Sequence, residues 1–240
     1  GHRWWHKVGL ATSLISPLAC GTAVFFAKDV YILEMGADVQ MMGVVGAALS
    51  VWGPISAYLA GFTMERSLLA RCFPFARWGR RAPWFLTHWL AMSAATFAVY
   101  MPPSVQPHFL CGWYSFWGAL MGWILSVLFN CFEAARAELY PTKEERSEVE
   151  SVVKVTAGCG NTLGGVPSAI LMAGATFGAR AAASTLFLFV ALISLVSLPV
   201  FRMARQEHDP AKLEGSLFRE MRNLLGQGAC RHLMCYRLME

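Results

Sequence analysis

The groups in this 240-residue chain that could bind, pair or carry charge lie mostly between long uncharged runs, and a few lie against or inside them. Asn130 and Asn161 sit within two such runs, Glu133 follows Asn130 by three residues, and Lys154 directly precedes the run that opens at Val155. A cation at the hydrocarbon edge is costly unless it is paired or faces water, so Lys154 is the position that most needs a role. Glu133, Arg136 and Glu138 enter before the helical pattern around them has ended. Thr142 and Glu145, behind Pro141, have capping-box spacing and predict a new helix that carries Glu144, Glu148 and Lys154 toward the apolar run. A solvated helix laced with Glu/Arg pairs accounts for Lys143, Glu144 and Glu150 without any further role. The other concentration of charge is residues 61–81, where Arg66, Arg71, Arg77, Arg80 and Arg81 lie between two uncharged segments together with Glu65. His88 is the one titratable side chain in the next run and reads as an interfacial hydrogen-bonding residue rather than a proton carrier. No HExxH, paired-acid or nucleophile-elbow pattern occurs, which argues against an enzyme. The seven cysteines are irregularly spaced with no CxxC. They read as small packing residues, and nothing in the pattern asks for a metal or another cofactor.

The elements that must hold these groups follow from composition. Hydrophobic residues make up 56% of the chain and charged residues 15%, against roughly 45 to 50% apolar in a soluble domain. The apolar residues fall into six runs free of Asp, Glu, Lys and Arg, giving spans at about 8–27, 41–64, 84–101, 109–132, 155–179 and 181–201. About 20 residues at 1.5 Å rise cross a hydrocarbon layer of roughly 30 Å. The fold class is therefore all-α, a polytopic membrane bundle over residues 1–205, followed at 206–240 by a linker whose Leu213, Leu217, Met221, Leu224 and Leu225 form one apolar stripe.

Small residues (Gly43, Gly46 and Gly53 in the second span, Gly118 and Gly122 in the fourth, Gly160 and Gly164 in the fifth) suit close helix contact. Pro17 falls in the first span and Pro54 is expected to bend the second. Residues 28–40 are expected to form an outer loop turning at Gly36, and Trp4 and Trp5 to anchor the chain at a headgroup boundary. With the N-terminus placed in the cytosol, 18 of the 20 basic residues share its side, leaving only Lys28 and Arg180 across the membrane. That bias predicts cytosolic N- and C-termini. The net charge of +5 then reflects topology and not an affinity for nucleic acid. The chain opens at Gly1 without an initiator methionine and reads as truncated at the front.

Gly61, Glu65-Arg66 and Gly79-Arg80-Arg81 together resemble the loop between the second and third helices of the major facilitator superfamily. The longer run Arg77-Trp78-Gly79-Arg80-Arg81-Ala82-Pro83-Trp84 is similar to its glycoside-pentoside-hexuronide cation symporter branch, which includes melibiose and sucrose carriers. AELYPTKEER, ending at Arg146 and followed by Lys154 and a glycine-rich fifth helix, resembles the same branch. The likeness covers about residues 8 to 230.

The resemblance implies one six-helix half, built from two three-helix repeats, that rocks against a second half around a midplane site. The second half would come from the same chain or from a second copy. On this reading Asn130, Glu133, Lys154 and Asn161 face a small-molecule solute, such as a sugar or, in animal members, a lipid-like molecule. Glu65, Arg66, Gly79, Arg80, Arg81, Glu138 and Arg146 would form a cytosolic gate of reversible ion pairs.

The departures are specific. Glu65 replaces the loop's usual aspartate, Gly53 and Leu49 occupy the positions of the branch's second-helix carboxylates, and Lys154 replaces a fifth-helix arginine, keeping the charge without the bidentate geometry. The branch's fourth-helix acid falls near Phe129 or Asn130. A carboxylate sodium site of that kind is absent, so the coupling cation is expected to be a proton rather than sodium. The rival reading keeps the fold for a non-transporting scaffold or interaction protein.

Overall fold

The computed structural model describes residues 4–64, 68–69 and 71–203. They form helices throughout: α1 (Trp4–Thr12), α2 (Ile15–Met35), α3 (Val39–Met64), the short α4 (Phe75–Trp78), α5 (Ala82–Tyr100), α6 (Pro107–Leu139), α7 (Lys143–Met172), α8 (Phe177–Ile193) and α9 (Leu198–Met203), with a 3-10 turn at Ser194–Ser197 joining the last two. They make six antiparallel rods: rod 1 is α1 with α2, rods 2 to 5 are α3, α5, α6 and α7, and rod 6 runs from α8 to α9. Rods 1, 2, 4 and 6 are long and apolar enough to cross a membrane. Rod 3 has 19 residues, about 28 Å at 1.5 Å per residue, and carries His88 and three Pro or Trp residues. Rod 5 begins with charged turns and is glycine-rich.

The rod ends differ from the limits of the uncharged runs in several places. Rod 1 continues to Met35, so Lys28 and Asp29 are helical and the expected 28–40 loop shrinks to the turn at Gly36. Gly36 has φ 75, a left-handed cap whose N–H returns to the Tyr31 carbonyl, as a glycine past a helix end does. Rod 5 ends at Met172 and rod 6 starts at Phe177, where the Thr176 hydroxyl accepts from the Ala179 N–H. The 155–179 run is thus not one helix, because absence of charge measures the hydrocarbon and not the backbone. Rod 4, by contrast, stays helical to Leu139, beyond the end of its uncharged run at Phe132.

Proline explains the two broken rods. Pro17 has no N–H to give the Ser13 carbonyl, and α1 and α2 are separated there by turns at Ser13 and Leu14. The Ser194 hydroxyl of rod 6, 2.7 Å from the Ser16 hydroxyl, has one proton and can give it to the Ser13 carbonyl at 3.1 Å, while Ser16 gives its own to the Val190 carbonyl at 2.7 Å. Pro199 sits just past the 3-10 turn of rod 6, so two proline-disturbed segments complete each other's hydrogen bonding. α3 continues through Pro54 without a break.

Rods 1, 3, 4 and 6 hold most of the core, including Leu10, Val24, Phe85, Met92, Met121, Ile124, Phe187 and Phe201. The Phe85 and Phe201 rings stack at 4.3 Å. Side chains tie rod to rod through backbone carbonyls: Tyr100 to Ala23 at 2.6 Å, Trp89 to Ala191 at 2.5 Å, and Tyr31 to Val99. Rod 5 packs on rod 1, and rod 2 packs on rod 4; rod 3 meets rod 4, and rod 6 meets rod 1. Exchanging rods 1–3 with rods 4–6 maps these contacts onto one another, the relation expected of two three-helix repeats.

Candidate functional site

The two outer rods are held on one side only. α3 buries Met42, Ser56, Ala60 and Met64, and α7 buries Val149, Gly160, Gly164, Ser168 and Leu171. Gly160 and Gly164 explain the close approach of rods 5 and 1: a Cβ added at Gly164 would stand 2.3 Å from the Ala19 carbonyl oxygen, and one at Gly160 would stand 2.8 Å from that of Ile15. Rod 4 offers the counterpart, with Gly118 and Gly122 against Leu49 and Trp52 of rod 2. Gly43, Gly46 and Gly53 on rod 2 and Gly158 and Gly165 on rod 5 meet nothing among the described residues. Cys159 is also exposed, unlike the buried Cys20, Cys111 and Cys131, so it does not pack within this bundle.

The four residues expected to bind solute occupy different surroundings. The Asn130 amide donates to the Ala57 carbonyl at 3.1 Å, joining rod 4 to rod 2 next to a bond between the Ser56 and Ser126 hydroxyls at 2.9 Å. Asn161 is exposed and accepts from the Thr22 hydroxyl at 3.1 Å, joining rod 5 to rod 1. Glu133 pairs with Arg136 at 2.5 Å, and the other side of that guanidinium reaches Glu150 at 2.6 Å. Lys154 is exposed, with no ion pair or hydrogen bond among the described residues. No hydrogen bond or ion pair joins any two of the four. Of them, Lys154 and Asn161 lie exposed on rod 5, about two turns apart and on either side of its midpoint.

The residues expected to gate gather at the end of the bundle where rods 1, 3 and 5 begin. Arg81 is 5% exposed and bonds Glu138 of rod 4 at 3.1 Å, while the second carboxylate oxygen of Glu138 is buried with no partner among the described residues. Gly79 closes α4 at φ 68 and ψ −171, a conformation open in practice only to glycine. Arg80 is half-buried beside it. Arg146 pairs with no carboxylate among the described residues: it donates to the Tyr140 and Pro141 carbonyls at 2.8 and 3.1 Å, closing the end of rod 4. Burial, and then the nearby Glu145 carboxylate, push the Tyr140 phenol up to about 12. The Thr142 cap forms as its spacing predicts, its hydroxyl accepting from the Glu145 N–H at 3.3 Å. Glu65 and Arg66 lie outside the described residues, as does the 206–240 stripe.

One contact at this end escaped the sequence reading. Lys7, 8% exposed, pairs with Glu148 and ties the start of rod 1 to the start of rod 5. The charges were visible but their partnership was not, because nothing in the spacing says that the first and fifth rods are neighbours. His88 fills the bonding role expected of it. Its Nε2 lies 3.2 Å from the Trp123 indole N–H, which can only donate, so the ring proton sits on Nδ1, 3.1 Å from the Trp84 carbonyl.

A helical bundle stitched through carbonyls, with apolar rods of spanning length and charge gathered at the rod ends, defines an integral membrane protein. Its sequence matches the family described as MFS/sugar transport protein over residues 9–240. The chain belongs to that family and is a membrane transporter of the major facilitator kind. A search of curated proteins found no match.

Proposed function

We propose that these six rods are one half of a secondary carrier that moves a small solute, a sugar in the first instance, by alternating access. The observation that carries this is the pairing of the family match with two outer rods whose far-side glycines meet nothing among the described residues. Rods 2 and 5 would face a second six-rod bundle, from the same chain or a second copy, with the solute path between them. Asn161 and Lys154 of rod 5, with Asn130 and Glu133 of rod 4 once their present bonds open, would supply polar contacts to the solute. The end bearing Lys7, Arg81 and Arg146 would face the cytosol together with both termini. There Arg81 with Glu138, the turn at Gly79-Arg80, and Arg146 would hold the bundle closed enough to rock as a unit; Glu65 and Arg66 would complete that gate. The missing second-helix carboxylates at Gly53 and Leu49 favour a proton over sodium as the coupling ion.

Proteoliposomes holding the whole protein test this. Uptake of labelled hexoses and disaccharides should be driven by an inward proton gradient and not by a sodium gradient, and Lys154→Gln should lower it at least tenfold. A non-transporting scaffold is favoured by a different observation, that Asn130 and Asn161 are already bonded within the bundle. It predicts no uptake under either gradient.

A further inference from the structure

The cations at the basic end fall into two sets. Lys7, Arg81 and Arg136 each have a carboxylate partner. Arg71 and Arg77, in the segment joining rods 2 and 3, and Arg202, near the end of rod 6, are exposed and have none among the described residues. Arg202 donates to the Arg77 carbonyl at 3.2 Å, and its guanidinium lies over the Trp78 ring at 5.3 Å. The Arg202 guanidinium thus sits against the backbone of Arg77 and the ring of Trp78, which Phe73 meets edge-on at 5.3 Å. The sequence offers these arginines little neutralisation: no Asp or Glu occurs between Glu65 and Glu133, or between Glu150 and Glu207.

We propose that Arg77, Arg202 and Trp78 form a seat for the headgroup of an anionic phospholipid in the leaflet at the basic end. No carboxylate among the described residues pairs with either arginine, and a tryptophan at a rod end suits headgroup depth. The neighbouring apolar groups favour a lipid over a free phosphate, since Leu68 on the same loop and Met203 beside Arg202 are both exposed. An acyl chain covers them, whereas a soluble anion leaves them in water. Anionic leaflets favour each juxtamembrane cation by about fivefold in binding. The inference does not depend on which solute the bundle carries.

Native mass spectrometry of the whole protein from mixed phosphatidylglycerol and phosphatidylcholine micelles reads the seat directly. The wild type should retain phosphatidylglycerol in preference to phosphatidylcholine. The variant carrying Arg77→Gln and Arg202→Gln should bind phosphatidylglycerol at least tenfold more weakly. Lys143→Gln, which removes an exposed charge at the same end but off the patch, should bind as the wild type does. Should the double variant fail to fold, phosphatidylglycerol binding by the wild type must still weaken steeply as sodium chloride is raised. Equal retention of both lipids, equal loss in Lys143→Gln, or displacement of the lipid by inorganic phosphate would each overturn the assignment.

Discussion

The inner rods and the outer rods of this bundle use the same residue types to different ends. In rods 1, 3, 4 and 6, tyrosine, tryptophan and serine side chains reach across to backbone carbonyls, and even the carbonyl released by Pro17 finds a hydroxyl. Rod 5 docks through its own small residues Gly160 and Gly164, rod 2 docks with Leu49 and Trp52 against the glycines of rod 4, and each leaves glycines on another stripe open. Lipid supplies no hydrophobic drive between helices, so tight contact needs small residues and satisfied polar groups. The closed stripe meets both needs. The open stripe has the small residues without the neighbour, and that asymmetry is what a docking surface for a second bundle requires.

Substitutions that tell the two stripes apart give the largest effects. Gly164→Leu drives a side chain into the Ala19 carbonyl, which cannot swing aside. It should cost at least about 3 kcal/mol, read as loss of the folded protein in thermal unfolding. Gly165→Leu, one residue on and in open space, should stay within about 0.5 kcal/mol of the wild type yet impair transport. If both unfold the protein, or both leave transport intact, the distinction between the stripes fails.

Glu138→Gln weakens the largely buried partnership with Arg81 and should cost about 3 kcal/mol. Arg81→Gln added to it should cost much less than the sum, since the two side chains act together. Full additivity in that double-mutant cycle would place Glu138 outside the inner framework. Ser194→Ala takes away the donor to the Ser13 carbonyl, a loss of about 1 to 2 kcal/mol; an unchanged melting temperature would mean that the break at Pro17 needs no outside donor. The smallest effect is expected where rods 1 and 5 meet at the rim. Lys7→Gln removes a partnership whose carboxylate is 65% exposed, worth about 0 to 1 kcal/mol, and a larger drop in unfolding temperature would show that this link belongs to the core.

The sequence made the rods and several of their signals legible. Thr142 caps where its spacing to Glu145 says it should, and Gly36 makes the turn that its position between two apolar runs suggests. The rod ends were less legible, because charge marks where lipid stops and helices continue past it, as at Lys28, Asp29 and Glu138. The break between rods 5 and 6, at residues 173–176, went unread because the uncharged run continues across it. The four-residue spacing of Gly160 and Gly164, and of Gly118 and Gly122, did mark packed faces, whereas Gly43, Gly46 and Gly53, read the same way, meet nothing among the described residues, because spacing does not say which face has a neighbour. For the same reason Arg146, expected in an ion pair, closes the end of rod 4 instead. The partners of Lys7 and Asn161 follow from which rods are neighbours, information that spacing along one chain does not hold.

Solute counterflow in proteoliposomes made with the whole protein tests most directly the claim that this bundle is half of a carrier. Vesicles preloaded with an unlabelled hexose, pentose, disaccharide or lysolipid should draw in the labelled form of at least one of them, with saturation and at a rate far above protein-free vesicles. Counterflow no faster than in protein-free vesicles, across all four classes and with the protein shown to be folded, would contradict it.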